Sequence, residues 1–110
     1  MVFINPENEA CDGLITVASG TYTLTRKDSL ILCSGTCTIQ FPDPKQSTGI
    51  KVFVKNISAS GEVTLDFSTN SGTCDGADSQ TLPAGSQYAG MEIICDGSEY
   101  YIRATGNLNI

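Results

Sequence analysis

The chain has 110 residues, room for one domain whose folding buries roughly 60–70% of the unfolded surface and so supports a single core. Twelve carboxylates against six lysines and arginines give a net charge of −6, which repels nucleic-acid phosphates and anionic lipid and argues against both as partners. The longest apolar runs, LIL (30–32) and MEIIC (91–95), are too short for a membrane span or a signal-peptide core, so a soluble, not visibly secreted chain is expected.

Residues 1–12, MVFINPENEACD, read as an N-terminal arm, 13–105 as a single β domain and 106–110 as a C-terminal tail. Apolar residues alternate with polar ones in TYTLT (21–25), TCTIQF (36–41), IKVFVK (50–55) and EVTLDF (62–67), the period-two signature of strands. Turn residues separate these runs, and no segment carries a sustained helical period. The expected fold is therefore all-β, an antiparallel β-sandwich or a small barrel-like, jelly-roll-like domain.

Pairing can be argued for three hairpins. In SLILCSGTCTIQF a two-residue turn at Ser34-Gly35 sets Leu32 opposite Cys37 and Leu30 opposite Ile39, with Cys33 on the reverse face opposite Thr36. A three-residue turn would bring Cys33 to Cys37 but take two leucines out of the core. That loss is about 3–6 kcal/mol, comparable to or larger than the gain from so short a disulfide loop. Cys33 and Cys37 are therefore expected to stay unlinked. In the stretch 50–67, pairing Val54 with Val63, Val52 with Leu65 and Ile50 with Phe67 collects six apolar side chains on one face. Lys55 then meets Glu62 and Lys51 meets Asp66 on the other.

The third hairpin, MEIICDGSEYYI, is set by an Asp96-Gly97 turn. It places Ile93 opposite Tyr100 and Met91 opposite Ile102 on the apolar face. The reverse face carries Glu92 opposite Tyr101 and Ile94 opposite Glu99, with Arg103 following. Tyr100 is thus the core tyrosine and Tyr101 the outward one. Ile94, Glu99, Tyr101 and Arg103 form a candidate interface, because an aromatic and an isoleucine side by side on a surface mark a contact patch.

Reaction chemistry is harder to assemble. The chain lacks histidine, so a nucleophile would depend on carboxylates or lysines as bases, and nothing in the spacing convenes them. Asp75 and Asp96, both in Cys-Asp-Gly steps, are read as turn formers. The cluster PENE (6–9) with Asp12 lacks the alternating ligands of a calcium loop. Five cysteines at 11, 33, 37, 74 and 95 are an odd number without the close pairs of a zinc site and read mainly as small buried hydrophobes. No catalytic residue, metal or cofactor is expected.

Taken in order, GTYTLTRKDSLI (20–31), CTIQFPDP (37–44), TGIKVFVKNISASGEVTLDF (48–67), CDGADSQTL (74–82) and MEIICDGSEYYI (91–102) resemble a small β-structured module. That module occurs in tail fibres, tail spikes and head-associated proteins of bacteriophages and other large DNA viruses. The resemblance covers roughly residues 20–104. It departs from the module's pattern at two places: Tyr100 stands where the closing hairpin has tryptophan, and Cys74 where an isoleucine precedes Asp-Gly. It implies a non-enzymatic virion part, often trimeric, assembled in host cytoplasm. A chain of this size suits a capsid decoration, cement or short spike protein bound to other virion proteins. The competing readings are a receptor- or glycan-binding module on a fibre tip, with Tyr101 or Tyr88 as stacking platforms for a host-surface glycan, and a bacterial adhesin-type module.

Overall fold

In a computed structural model, which describes residues 13–106, the chain forms nine strands and two short 3-10 turns. The expected arm lies outside the described residues. So does the expected tail apart from Gly106, which ends the last strand. The strands are β1 (Leu14–Val17), β2 (Gly20–Thr23), β3 (Leu30–Cys33), β4 (Cys37–Gln40), β5 (Lys51–Asn56), β6 (Val63–Asp66), β7 (Ser79–Leu82), β8 (Gly90–Cys95) and β9 (Tyr100–Gly106).

The protein is a β protein with two mixed sheets. The first has the order β1-β3-β5-β8-β9 and the second β2-β4-β6-β7. β1, β3 and β5 run parallel, as do β2, β4 and β6; the antiparallel pairs are β5 with β8, β8 with β9 and β6 with β7. This corrects the antiparallel expectation. Three times in succession the chain leaves a strand of the first sheet and enters the second: β1 to β2, β3 to β4 and β5 to β6. Each crossing is an arch, and the three arches stack in parallel.

Two expected hairpins are therefore not hairpins. β5 and β6 lie in different sheets, so Lys55 is opposite Gly90 rather than Glu62, and Lys51 is opposite Ile94 rather than Asp66. The six apolar residues of that stretch are nonetheless all buried, as expected. A hairpin sets its apolar faces side by side and an arch sets them face to face, so the alternation is the same in both. The β3–β4 expectation fails more deeply. Ile31 and Cys33 point inward and are buried, whereas Leu30 and Leu32 are half-buried on the outer face. β3 lies between two parallel neighbours, where a strand carries apolar residues on both faces. No leucine has to be sacrificed to turn Cys33 inward.

The third hairpin forms, with a longer turn than expected. Cys95 pairs with Tyr100, Ile94 with Tyr101 and Ile93 with Ile102, and a bulge between Glu92 and Ile93 leaves Arg103 as the extra residue. The register differs from the expected one by two residues near the turn. A two-residue shift leaves every side chain on its own face, so Tyr100 is still inside and Tyr101 outside.

Both sheets supply one core. Tyr100 is fully buried between Phe41 and Phe67, with ring centroids 5.2 and 5.3 Å away, and its hydroxyl donates to the Pro42 carbonyl at 2.7 Å. At the arches, bulk rather than polarity is limiting. A Cβ at position 35 would lie 2.2 Å from the Ala18 carbonyl oxygen, and one at position 61 would lie 2.6 Å from the Gly35 carbonyl carbon. Gly35→Ala therefore has to push neighbouring arches apart, at a cost of about 1–3 kcal/mol. A melting temperature lowered on the order of 10 °C is expected, against little change for Gly106→Ala, where a Cβ would meet nothing within 4 Å. Equal melting of the two variants would refute the stacked-arch account.

Candidate contact face

The β8–β9 turn is built by one carboxylate. Asp96 Oδ1 accepts from the backbone N–H groups of Ser98 at 2.8 Å and Glu99 at 2.9 Å, and from the Ser98 hydroxyl at 3.2 Å. Those donors, the Glu99 N–H first, hold the Asp96 pKa below the ordinary carboxylate value. The neighbouring Cys-Asp-Gly step is a two-residue turn with Asp75 at φ 51° and Gly76 at φ 84°, closed by Cys74–Ala77 backbone bonds at 2.8 and 3.0 Å. Asp75 Oδ1 also accepts from the Ile102 N–H at 3.3 Å. Both aspartates thus act on the backbone as turn formers.

These turns present Tyr101. It pairs with Ile94, which in turn pairs with Lys51 on β5, so the three side chains make one outward row across the first sheet. The tyrosine is half-buried, and its pKa is raised by the negative charges of Asp96, then Glu99, with Asp75 adding a smaller share. Glu99 sits in the turn, where its carboxylate accepts from the Thr73 hydroxyl at 3.3 Å rather than standing opposite Ile94 as expected. Arg103 donates to Glu92 at 2.5 Å with most of its own side chain in solvent. An ion pair so exposed contributes at most about 1 kcal/mol. Of the four expected interface residues, the fold sets Ile94 and Tyr101 directly opposite each other on neighbouring strands and places Glu99 and Arg103 to either side along the hairpin.

The apolar area extends further than the sequence reading placed it. The next outward row runs Leu14, Leu30, Phe53, Glu92 and Ala104 across all five strands, and Leu32 lies in the row beyond. The Phe53 ring lies against Gly90, where a Cβ would come within 2.4 Å of it. Leu30 and Leu32 are expected in the core and Phe53 carries no expectation, whereas the structure places all three on this outer face. The signal that could have exposed this face is the unbroken run SLILC, apolar at both parities.

The outer face of the second sheet is the opposite in character. Thr21, Thr38, Thr64 and Thr81 align in one row, and Thr23, Gln40, Asp66 and Ser79 in the next. Tyr88 stands apart in the turn just before β8, 45% exposed and at φ 71°, with Lys55 Nζ 5.9 Å from its ring centroid. A left-handed conformation is costly for a residue with a bulky side chain. The Tyr88 N–H bonds to the Asn56 carbonyl at 2.6 Å, which holds it there.

Two tyrosines contribute to the alkaline limit of the fold, beside the buried thiols, whose pKa values burial also raises. Tyr22, desolvated and bonded through its hydroxyl to Asp28 Oδ2 at 2.7 Å, and Tyr100, desolvated in the core, both have pKa values pushed up to about 12. A raised folded-state pKa means that the unfolded chain releases these protons first, near pH 10. The stability these two tyrosines contribute is complete below pH 10 and is lost as the pH rises through about 12. Phenolate absorbance and circular dichroism followed together should show Tyr22 and Tyr100 ionising only as the strands melt. Ionisation of all four tyrosines near pH 10 with the fold intact would contradict this.

Cys33, Cys37, Cys74 and Cys95 are all buried as free thiols, and Cys11 lies outside the described residues. Among the described residues no cluster of three or more acidic or cysteine side chains is arranged to hold a metal ion. Neither a scan against protein-family models nor a search of curated proteins finds a match for this chain.

Proposed function

We propose that this protein is a non-enzymatic structural part of a virion, a capsid decoration, cement or short spike protein. It works through self-association and attachment to other capsid proteins, with a trimer favoured. In this reading the two sheets form a sandwich-like module of the kind the sequence resembles. The carrying observation is the contrast between the two outer faces. A sheet that meets water on one side is polar there, and the threonine rows of β2, β4, β6 and β7 follow that rule. The outer face of β1, β3, β5, β8 and β9 does not: it carries Leu14, Leu30, Leu32, Phe53, Ile94 and Tyr101. Such a face, with apolar side chains set among Lys51, Lys55 and Glu92, is suited to a protein partner.

The test is mass in solution by light scattering, followed by co-sedimentation with purified capsids. Oligomers, capsid binding or both support the reading, and a monomer that ignores capsids refutes it. A second reading, a glycan-binding fibre-tip module, draws on Tyr88, an exposed aromatic held in a costly conformation. If it is right, Tyr88→Ala abolishes binding to host cells and leaves capsid attachment unchanged.

A further inference from the structure

The β3–β4 arch joins two cysteines. Cys33 is the last residue of β3 and Cys37 the first of β4; both point into the core from the two ends of a three-residue arch, at 0% and 4% exposure, and each thiol influences the other's ionisation. The sequence argument against linking them was that facing cysteines would expel Leu30 and Leu32 from the core. In the folded chain that objection is void, since both leucines already lie on the outer face and both cysteines already lie inside.

We propose that Cys33 and Cys37 are a latent clasp, free thiols in the reduced protein that close into a disulfide across the β3–β4 arch when a small peroxide reaches them. The sulfur of one cysteine attacks the peroxide O–O bond, becoming a sulfenic acid while the other oxygen leaves as water. The second sulfur then attacks the sulfenic sulfur, forming the S–S bond and expelling its oxygen as a second water. Two thiol hydrogens are lost and one peroxide is reduced to two waters. Cys37 is the better first nucleophile, because the neighbouring Cys33 thiol favours its thiolate, whereas burial and Cys37 itself both raise Cys33. Burial raises both pKa values, so closure is slow at neutral pH and speeds up as the pH rises. Cys74 and Cys95 are just as buried but show no interaction with a second thiol among the described residues; the Cys95 thiol donates to the Pro44 carbonyl at 3.3 Å. Oxidation is therefore selective for the arch.

The experiment uses the wild-type chain and hydrogen peroxide under native conditions, with free thiols then blocked and the protein digested with trypsin. Cleavage after Lys27 and Lys45 yields one peptide, 28–45, that holds Cys33 and Cys37 and none of the other cysteines. The expected result is loss of two hydrogens from that peptide, reversed by a phosphine reductant. Cys74 and Cys95 stay available to the blocking reagent, and the melting temperature rises by several degrees. Cys33→Ala should instead leave Cys37 as a sulfenic or sulfinic acid. Because the wild-type peptide carries the decision, the outcome does not depend on that variant folding. Retention of both thiols in the native protein, when the same peptide oxidises after denaturation, overturns the proposal. So does finding Cys33 or Cys37 linked to any other cysteine.

Discussion

Tyr100→Ala is expected to cost about 3–5 kcal/mol, the range for truncating a buried aromatic, and so to unfold or nearly unfold a domain with a typical stability of about 5–15 kcal/mol. The ring joins both sheets. It sits beside Phe41, which follows β4, and Phe67, which follows β6, while its own backbone belongs to β9. Its N–H also donates to the Thr73 carbonyl at 3.0 Å, and its carbonyl accepts from the Asp75 N–H at 3.1 Å, tying the 74–77 turn to the closing hairpin. Those backbone bonds survive truncation, so the loss isolates the ring and its hydroxyl. Tyr100→Phe separates the two: it keeps the ring contacts and leaves the Pro42 carbonyl without its donor, at about 1–3 kcal/mol. Urea melts followed by circular dichroism should rank wild type above Tyr100→Phe above Tyr100→Ala. If alanine is tolerated as well as phenylalanine, the aromatic cluster does not hold the sheets together.

How much of this was legible in the chain follows from what alternation encodes. Period two reports which side chains face inward, and for Val52, Val54, Val63, Leu65, Ile93 and Tyr100 that was right. It does not report which strand is the neighbour, because a hairpin and an arch over the same turn residues ask for the same inward set. The feature that distinguishes them is steric. Gly35 and Gly61 stack on successive arches where a Cβ has no room, and nothing local in either tripeptide shows that the other lies above it. β3 misled for a second reason. With apolar residues at both parities, either face could be the inner one, and counting leucines chose the wrong one. Of the candidate face, Ile94 and Tyr101 were legible because their hairpin is local. Phe53, Leu30 and Leu32 were not, because their neighbours are set by the parallel stacking of strands distant in sequence.

That face carries the second large effect. Tyr101→Ala should leave the melting temperature nearly unchanged, since the ring lies outside the core and touches the fold mainly through Ile94 and the acidic turn. Assembly should suffer far more. An aromatic near the centre of a contact patch can carry about 2 kcal/mol or more of binding, roughly thirty-fold in affinity, while residues around it contribute little. Across this sheet Tyr101 and Ile94 share the outer face with Phe53, Leu30 and Leu14, with Lys51 and Glu92 set among them, so a partner covering the patch would desolvate these apolar side chains and meet both charges. The opposite face supplies the control: Thr38→Ala, in the middle of the threonine row, should alter neither stability nor assembly. The measurement is melting temperature, mass in solution and capsid co-sedimentation for wild type and both variants. Tyr101→Ala that melts the protein would mean the tyrosine belongs to the core after all. If it changes neither mass nor co-sedimentation while wild type associates, the partner binds elsewhere; and if Thr38→Ala alone weakens association, the interface is the threonine face.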